Sequence, residues 1–244
     1  MSKKQVLVTG ASRGIGRSIA LSFARHGYHV FLNCRSTIAA LENVQKEILS
    51  IPGGSAEMLP GNVGNPKEVE DMFQHISHSC DSLDVLINNA GIAHFGLLSD
   101  TTDEEWSDMI QTNLSSAFYC SRAAVPPMVR KKQGRIINIS SIWGLSGASC
   151  EVAYSAAKSG LHGLTRALAK ELAPSNVQVN AVACGYIDTQ MNTRLTKEEQ
   201  LAFAETIPAG RFGTTEEVAN LIFQLATSPE YLTGQIITMD GGYL

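Results

Sequence analysis

No uninterrupted apolar run in the sequence approaches 18 residues, so no transmembrane helix is expected. The opening residues, Met1-Ser2-Lys3-Lys4-Gln5, run straight into a strand pattern and lack the apolar core of a signal peptide. Positive charge is also short. Nineteen Lys and Arg stand against 23 Asp and Glu, a net charge of −4, which argues against a globally basic nucleic-acid binder. The five cysteines (Cys34, Cys80, Cys120, Cys150 and Cys184) are odd in number, stand singly, and form no CxxC or His/Cys ligand spacing. Neither a disulfide framework nor a metal site is expected, and the compartment reads as reducing. Charged residues reach only 17% against 44% hydrophobic, which excludes a disordered chain. Internal repeats, low-complexity tracts and linkers are absent as well. These absences leave a cytoplasmic chain of 244 residues that touches neither nucleic acid nor membrane. At that length a chain buries roughly three-quarters of its unfolded surface, so its core needs no staples.

What is present is a regular alternation. Short β-branched or apolar runs recur at Gln5–Val8, His29–Asn33, Ala56–Leu59, Leu83–Asn88, Arg135–Ser140, Gln178–Ala183 and Gln235–Met239. Most are continuous, as strands buried on both faces of a parallel sheet require. Helical patterns lie between them at Ile15–His26, Ile38–Leu49 and Pro66–His78, the last with Asn65 as N-cap and Pro66 at the first helical position. Others follow at Asp103–Lys131, interrupted near Pro126-Pro127, at Val152–Leu172, ended by Pro174, and at Thr215–Thr227. The pattern predicts an α/β fold: a single doubly wound Rossmann-type domain over residues 1–244, with a seven-stranded parallel sheet and helices on both faces. It breaks once, between Cys184 and Gly213, where a helical pattern at Thr196–Glu205 is bounded by Gly185 and Pro208. An insertion at the carboxyl end of a strand is where such sheets carry a substrate lid, expected here at about 185–213.

Thr9-Gly10-Ala11-Ser12-Arg13-Gly14-Ile15-Gly16 closes the first strand and opens the first helix. Gly10 permits the tight turn, Gly14 lets backbone approach a phosphate, and Gly16 lets helix and strand pack closely. The helix N-terminus then offers N–H groups and partial positive charge to a pyrophosphate. The spacing is G-x-x-x-G-x-G and differs from the commoner G-x-G-x-x-G. The second strand ends Asn33-Cys34-Arg35-Ser36. NAD-binding sheets usually place an acid here for the ribose 2′-hydroxyl, whereas a nearby Arg accommodates a 2′-phosphate. Arg35 and Arg13, with no carboxylate beside them, predict NADP(H).

Tyr154 and Lys158 lie four residues apart in a helical pattern and share one face. A phenol with pKa near 10 is a poor acid–base group at neutral pH, and an ammonium one turn away favours the phenolate. Ser141 adds a hydroxyl at the carboxyl end of the fifth strand, where ligands bind in such sheets.

With these residues the chain resembles the short-chain dehydrogenases/reductases from end to end. The matching motifs are Thr9–Gly16, Asn88-Asn89-Ala90-Gly91, Asn113, Asn138-Ile139-Ser140-Ser141, Tyr154-Ser155-Ala156-Ala157-Lys158, Cys184-Gly185-Tyr186-Ile187-Asp188-Thr189 and Asp240-Gly241-Gly242. The resemblance implies a catalytic set. Tyr154 donates a proton to a carbonyl, Ser141 polarises that oxygen, Lys158 lowers the Tyr154 pKa and holds the nicotinamide ribose, and Asn113 keeps a water in the relay behind Lys158. It also implies cofactor contacts from Thr9, Gly10, Ser12, Arg13, Gly14, Ile15, Gly16, Arg35, Asn89, Ala90, Gly91, Gly185, Ile187 and Thr189, with Asn62 and Val63 flanking adenine.

Within the family the chain looks most like the 3-oxoacyl-(acyl-carrier-protein) reductases, with a short Gln190–Pro208 substrate segment and Ile207-Pro208-Ala209-Gly210-Arg211-Phe212-Gly213 after it. A carrier-linked acyl substrate and a homotetramer follow from that resemblance. Reduction of another ketone (steroid, sugar or small carbonyl) is the alternative, and a non-catalytic NADP-binding regulator is a third. An acidic carrier protein needs a basic patch, and Arg130, Lys131, Lys132 and Arg135 supply one, unless they serve only to cap a helix C-terminus. Two positions depart from the pattern. Cys184 replaces a proline, which is expected to loosen its turn, and Ser175 stands where such reductases often carry a second arginine.

Overall fold

The computed structural model describes residues 3–190 and 196–244. Its strands are β1 (Gln5–Val8), β2 (His29–Leu32), β3 (Ser55–Met58), β4 (Val85–Asn88), β5 (Gly134–Ser141), β6 (Val177–Cys184) and β7 (Ile236–Met239). They form one parallel sheet in the order β3-β2-β1-β4-β5-β6-β7. The continuous apolar runs have the expected cause: every residue of β4 and β6 is buried. In β1, Val6 and Val8 enter one core while Leu7 enters the other.

Helices α1 (Gly14–Arg25), α2 (Ile38–Ser50) and α9 (Thr215–Ala226) cover the first face. Helices α3 (Pro66–Ser79), α5 (Ser116–Lys131) and α7 (Val152–Leu172) cover the second. Phe23, Ile19, Leu41 and Ile48 are fully buried on one side and Phe31, Leu86, Met128 and Ile136 on the other. Each such side chain contributes about 1.5–3 kcal/mol. From β1 the chain moves outward through β2 and β3, then returns to β4 on the opposite side of β1. The crevice at the carboxyl ends of these strands is the place such a sheet offers a ligand.

Two expectations need correction. The interruption near Pro126-Pro127 is absent, and both prolines lie inside α5. Cys120, Ala124 and Met128 anchor that helix on the sheet while Pro126 faces solvent, so packing outweighs the lost hydrogen bonds. The break comes earlier, between α4 (Asp103–Ile110) and α5, as a π turn at Gln111–Ser115. Such turns recur at functional sites, and this one carries Asn113. A one-turn helix after β5, α6 (Trp143–Ser146), was not expected.

The long segment after β6 contains α8 (Lys197–Ala204), started by a Thr196–Glu199 capping box. This is the helix expected at Thr196–Glu205. Part of the expected Gln190–Pro208 substrate segment, residues 191–195, lies outside the described residues. The segment is pinched at its base, where Gly213 N–H donates to Tyr186 O and Asp188 N–H to Gly213 O, both at 2.9 Å. Cys184 does not loosen its turn. It ends β6 in register with Ser141, and its carbonyl accepts Ile142 N–H at 3.0 Å. Among the described residues, no helix is long and apolar enough to cross a membrane, and no group of three or more His, Cys, Asp or Glu side chains could hold a metal. All five cysteines are free.

Candidate active site

At the carboxyl ends of the strands opens a cavity of about 930 Å³. One half is built from the glycine turn. Gly10 and Gly14 have φ of +64° and +54°, the left-handed region that favours glycine. A side chain at Gly16 would run into the Gly10 carbonyl oxygen and Asn89. Asn89 Nδ2 donates to the carbonyls of Thr9 (2.8 Å) and Gly10 (3.1 Å), tying the turn to the end of β4. Thr9 does not reach the cavity, contrary to its expected cofactor contact. It is buried beneath it, where its hydroxyl accepts from Asn89 N (2.9 Å) and Ala90 N (3.0 Å) and donates to Ile87 O (3.3 Å). Helix α1 begins without a side-chain cap, and Gly14, Ile15 and Gly16 line the cavity, so its first turn suits a pyrophosphate.

Ser12, Arg13, Arg35, Asn62 and Val63 line the same half. Arg35 Nη1 donates to Asp108 Oδ1 and Arg13 Nη1 to Gln190 Oε1, each at 3.3 Å and exposed. Long exposed contacts of this kind contribute at most about 1 kcal/mol, so either guanidinium is readily redirected to a phosphate. The turn, the helix end and the two cations together fit a dinucleotide phosphate.

Asn113, Ser141, Tyr154 and Lys158 line the other half, together with Asn89, Ala90, Gly91, Gly185, Ile187 and Thr189. Helix α7 presents a stripe of buried polar residues to β5. Lys158 Nζ donates to Ile139 O at 3.0 Å, His162 Nε2 meets Ser140 Oγ at 2.7 Å, and Asn138 Nδ2 donates to Thr165 Oγ1 at 2.8 Å. This ladder fixes the helix register, and with it Tyr154 one turn above Lys158. Ser141 accepts from Trp143 N–H at 3.2 Å and is hydrogen-bonded to Tyr154. Asn113 Nδ2 donates to Ile92 O (3.0 Å) and Met109 O (3.1 Å). A Cβ on Gly91 would sit 2.7 Å from Asn113 Oδ1 and 3.6 Å from Lys158 Nζ, so glycine keeps the space between those groups open. Gly185 packs just as closely, since a Cβ there would lie 2.7 Å from Asp240 Cα.

The electrostatics differ from the expectation. Burial raises the Tyr154 pKa well above the usual range, with the Ser141 hydrogen bond opposing it. The Lys158 ammonium faces the Tyr154 ring, 5.5 Å from its centroid, and burial pushes the Lys158 pKa down to about 8. Desolvation is the largest influence on the phenol, and the lysine is not among the groups that shift it.

The cation cluster does not border the cavity either. Arg130 and Lys131 end α5, Lys132 caps it, and Arg135 stands near the start of β5. Seven residue steps of about 3.3 Å separate Gly134 from Ser141, so the cluster lies about 23 Å along the strand from that serine. Lys131 is paired with Asp84 at 2.8 Å, and Arg135 donates to Ser228 O at 2.7 Å.

A family profile described as short chain dehydrogenase matches residues 4–200. The chain belongs to that family. It is 42% identical over 240 residues to the 3-oxoacyl-(acyl-carrier-protein) reductase FabG of Staphylococcus aureus, covering 98% of this chain and 97% of that one. It is 43% identical over 244 residues to the 3-oxoacyl-(acyl-carrier-protein) reductase of Synechocystis, covering 99% and 97%. A crystal structure of a protein provisionally assigned as a gluconate dehydrogenase, from Agrobacterium tumefaciens, superposes with a TM-score of 0.93 at 32% identity, covering 98% and 95%. This short-chain dehydrogenase is therefore an oxidoreductase acting on CH–OH groups with a nicotinamide cofactor.

Sequence reasoning missed Trp143, Tyr186, His94 and Phe95, all of which line the cavity, and His162 behind it. Trp143, His94, Phe95 and His162 belong to no motif read from the sequence. Tyr186 alone had a local signal, lying inside the Cys184–Thr189 match.

Proposed function

We propose that this dehydrogenase reduces the ketone of a 3-oxoacyl-(acyl-carrier-protein) to the secondary alcohol, using NADPH, in the cytoplasm and as a homotetramer. The observation that carries the reading is the convergence of Asn113, Ser141, Tyr154 and Lys158 on one cavity beside the glycine turn. A bound nicotinamide supplies the hydride. Ser141 holds and polarises the carbonyl oxygen. Tyr154, kept protonated by burial, gives that oxygen its proton. Lys158 holds the nicotinamide ribose, and its lowered pKa suits it to replace the tyrosine proton near neutral pH. Asn113, on its π turn, keeps a water behind Lys158. Arg13 and Arg35 meet the 2′-phosphate, with Cys34 in place of an acid. Asn62 and Val63 flank the adenine, and Gly185, Ile187 and Thr189 the nicotinamide end.

Full-length identity to two carrier-protein reductases supports the substrate. The structural likeness to a protein provisionally assigned as a gluconate dehydrogenase favours one second reading, a sugar-acid ketone. NADPH oxidation by the purified protein separates the two. Acetoacetyl thioester is expected to be reduced at least 100-fold more efficiently than 5-ketogluconate, and the reverse preference would establish the second reading.

A further inference from the structure

Aromatic residues are only 7% of the chain, yet five of them meet beside the cavity. Trp143 comes from α6, Tyr186 from the end of β6, Phe203 from α8, Phe212 from the turn before α9 and Tyr243 from the carboxyl terminus. Tyr186 is the hub. Its ring centroid lies 4.1 Å from Phe203, 5.7 Å from Phe212 and 5.9 Å from both Trp143 and Tyr243. None of the five belongs to either core, and all are half-buried. Rings gathered this closely and still partly wet gain from an apolar cover.

Their position says what covers them. Trp143 and Tyr186 line the cavity, and the other three rings stand behind them. The backbone N–H of Trp143 donates to Ser141 Oγ, so this wall begins two residues from the serine that holds the carbonyl oxygen. Ile92 and Phe95 line the cavity too, and Phe95 is 57% exposed. Glu151 and Gln190 are polar members of the lining, but each is already engaged by a neighbouring group. We infer that Trp143 and Tyr186 form the wall that binds the substituent beyond the ketone, and that the substrate carries a bulky apolar group there, alkyl or aryl, and not a polyol. The inference rests on the reading that Ser141 and Tyr154 reduce a ketone. Each methylene moved from water onto such a wall contributes about fourfold. A polyol would gain far less, because the hydroxyls on its carbons must be desolvated against ring faces, and one indole N–H and one phenol can pair with only a few of them.

The test is a substrate series with the NADPH-bound enzyme: ethyl acetoacetate, ethyl 3-oxohexanoate, ethyl benzoylacetate and 5-ketogluconate. The propyl and phenyl ketones are expected to exceed the methyl ketone at least tenfold in kcat/KM. Trp143→Ala should cut the propyl and phenyl reactions at least tenfold more than the methyl one, mostly through KM, and Trp143→Phe should restore most of the difference. Equal losses on all three esters, no preference in the unmutated enzyme, or a preference for 5-ketogluconate would overturn the wall. A second readout does not need turnover. Trp106→Phe leaves Trp143 as the only tryptophan. Ethyl benzoylacetate should then quench its fluorescence saturably, while 5-ketogluconate should not. Quenching without reduction of any ketone would keep the wall and defeat the reductase reading. Reduction without selective quenching would do the reverse.

Discussion

The two ends of β5 use polar groups in opposite ways. At its carboxyl end, Asn138, Ile139, Ser140 and Ser141 meet Thr165, Lys158, His162 and Tyr154 of α7, all but Tyr154 by interactions that are fully buried. At its amino end, Arg135 and the last turn of α5 carry four cations near solvent, paired with Asp84 and the Ser228 carbonyl where they are paired at all. Burial decides the difference. In a desolvated site a lysine shifts to about 8, close to neutral pH, while a phenol is held in its protonated form. Nearer water, Arg130, Lys131 and Lys132 close α5, where positive charge complements the helix dipole.

The largest effect that would break this comparison is at Tyr154. Tyr154→Phe removes the hydroxyl with little change of shape, and kcat for the true substrate should fall by about a hundred- to ten-thousand-fold while NADPH still binds. Lys158→Met should lose both turnover and cofactor affinity. It should not lower the Tm, because it replaces a desolvated cation with an apolar side chain of similar length. A stable Lys158→Met protein with unchanged kcat would show that the buried end is only scaffolding.

These residues were legible because they sit in local motifs. Tyr154 and Lys158 are one helical turn apart, and the glycine turn lies at one strand–helix junction. The fold was legible because strands buried on both faces read as continuous apolar runs. The ladder between α7 and β5 was not. Thr165 and His162 belong to no local motif, and only the register against Asn138 and Ser140 buries them beside Lys158. The aromatic wall was hidden for the same reason, since its rings come from five segments. The place of the cluster at Arg130–Arg135 was not legible, because closeness in sequence says nothing about which end of a strand a charge occupies. Pro126-Pro127 misled because propensity is overridden where one helix face is well packed.

The next effect is on cofactor choice. Arg35→Ala should raise the KM for NADPH about tenfold and leave NADH within twofold, because only the former has a 2′-phosphate to lose. Equal kinetic efficiency with both cofactors in the unmutated enzyme would contradict the assignment of Arg13 and Arg35.

A smaller effect concerns stability at the buried end. Burial pushes His162 down to about 4, helped by the nearby Arg166 and Lys158, while a hydrogen bond to Gly144 opposes the shift. A folded-state pKa below the unfolded value of about 6.5 means the unfolded chain takes up the proton first. Stability should therefore fall as pH drops from about 6.5 to about 4. His162→Gln keeps a partner for Ser140 without a group that titrates in that range, so urea unfolding should show a shallower slope there. An unchanged slope would assign the acid sensitivity elsewhere.

The smallest effect is expected at the exposed end of β5. Lys131 Nζ pairs with Asp84 Oδ1 at 2.8 Å, and the same carboxylate accepts Gln5 N–H through Oδ2 at 2.7 Å. Asp84 is mostly covered whereas Lys131 is partly exposed, so the pair steadies the start of β1 without being desolvated on both sides. Lys131→Ala should cost about 1 kcal/mol or less, a Tm lowered by a few degrees at most. It should leave kcat/KM for acetoacetyl thioester within twofold, since Ser141 is about 23 Å away along the strand. It should also leave a carrier-linked 3-oxoacyl substrate within twofold, at low salt as well as high, because this cation is already occupied by Asp84. A selective rise in KM for the carrier-linked substrate, strongest at low ionic strength, would mean that the ion pair opens to receive an acidic partner. The two ends of β5 would then share one function.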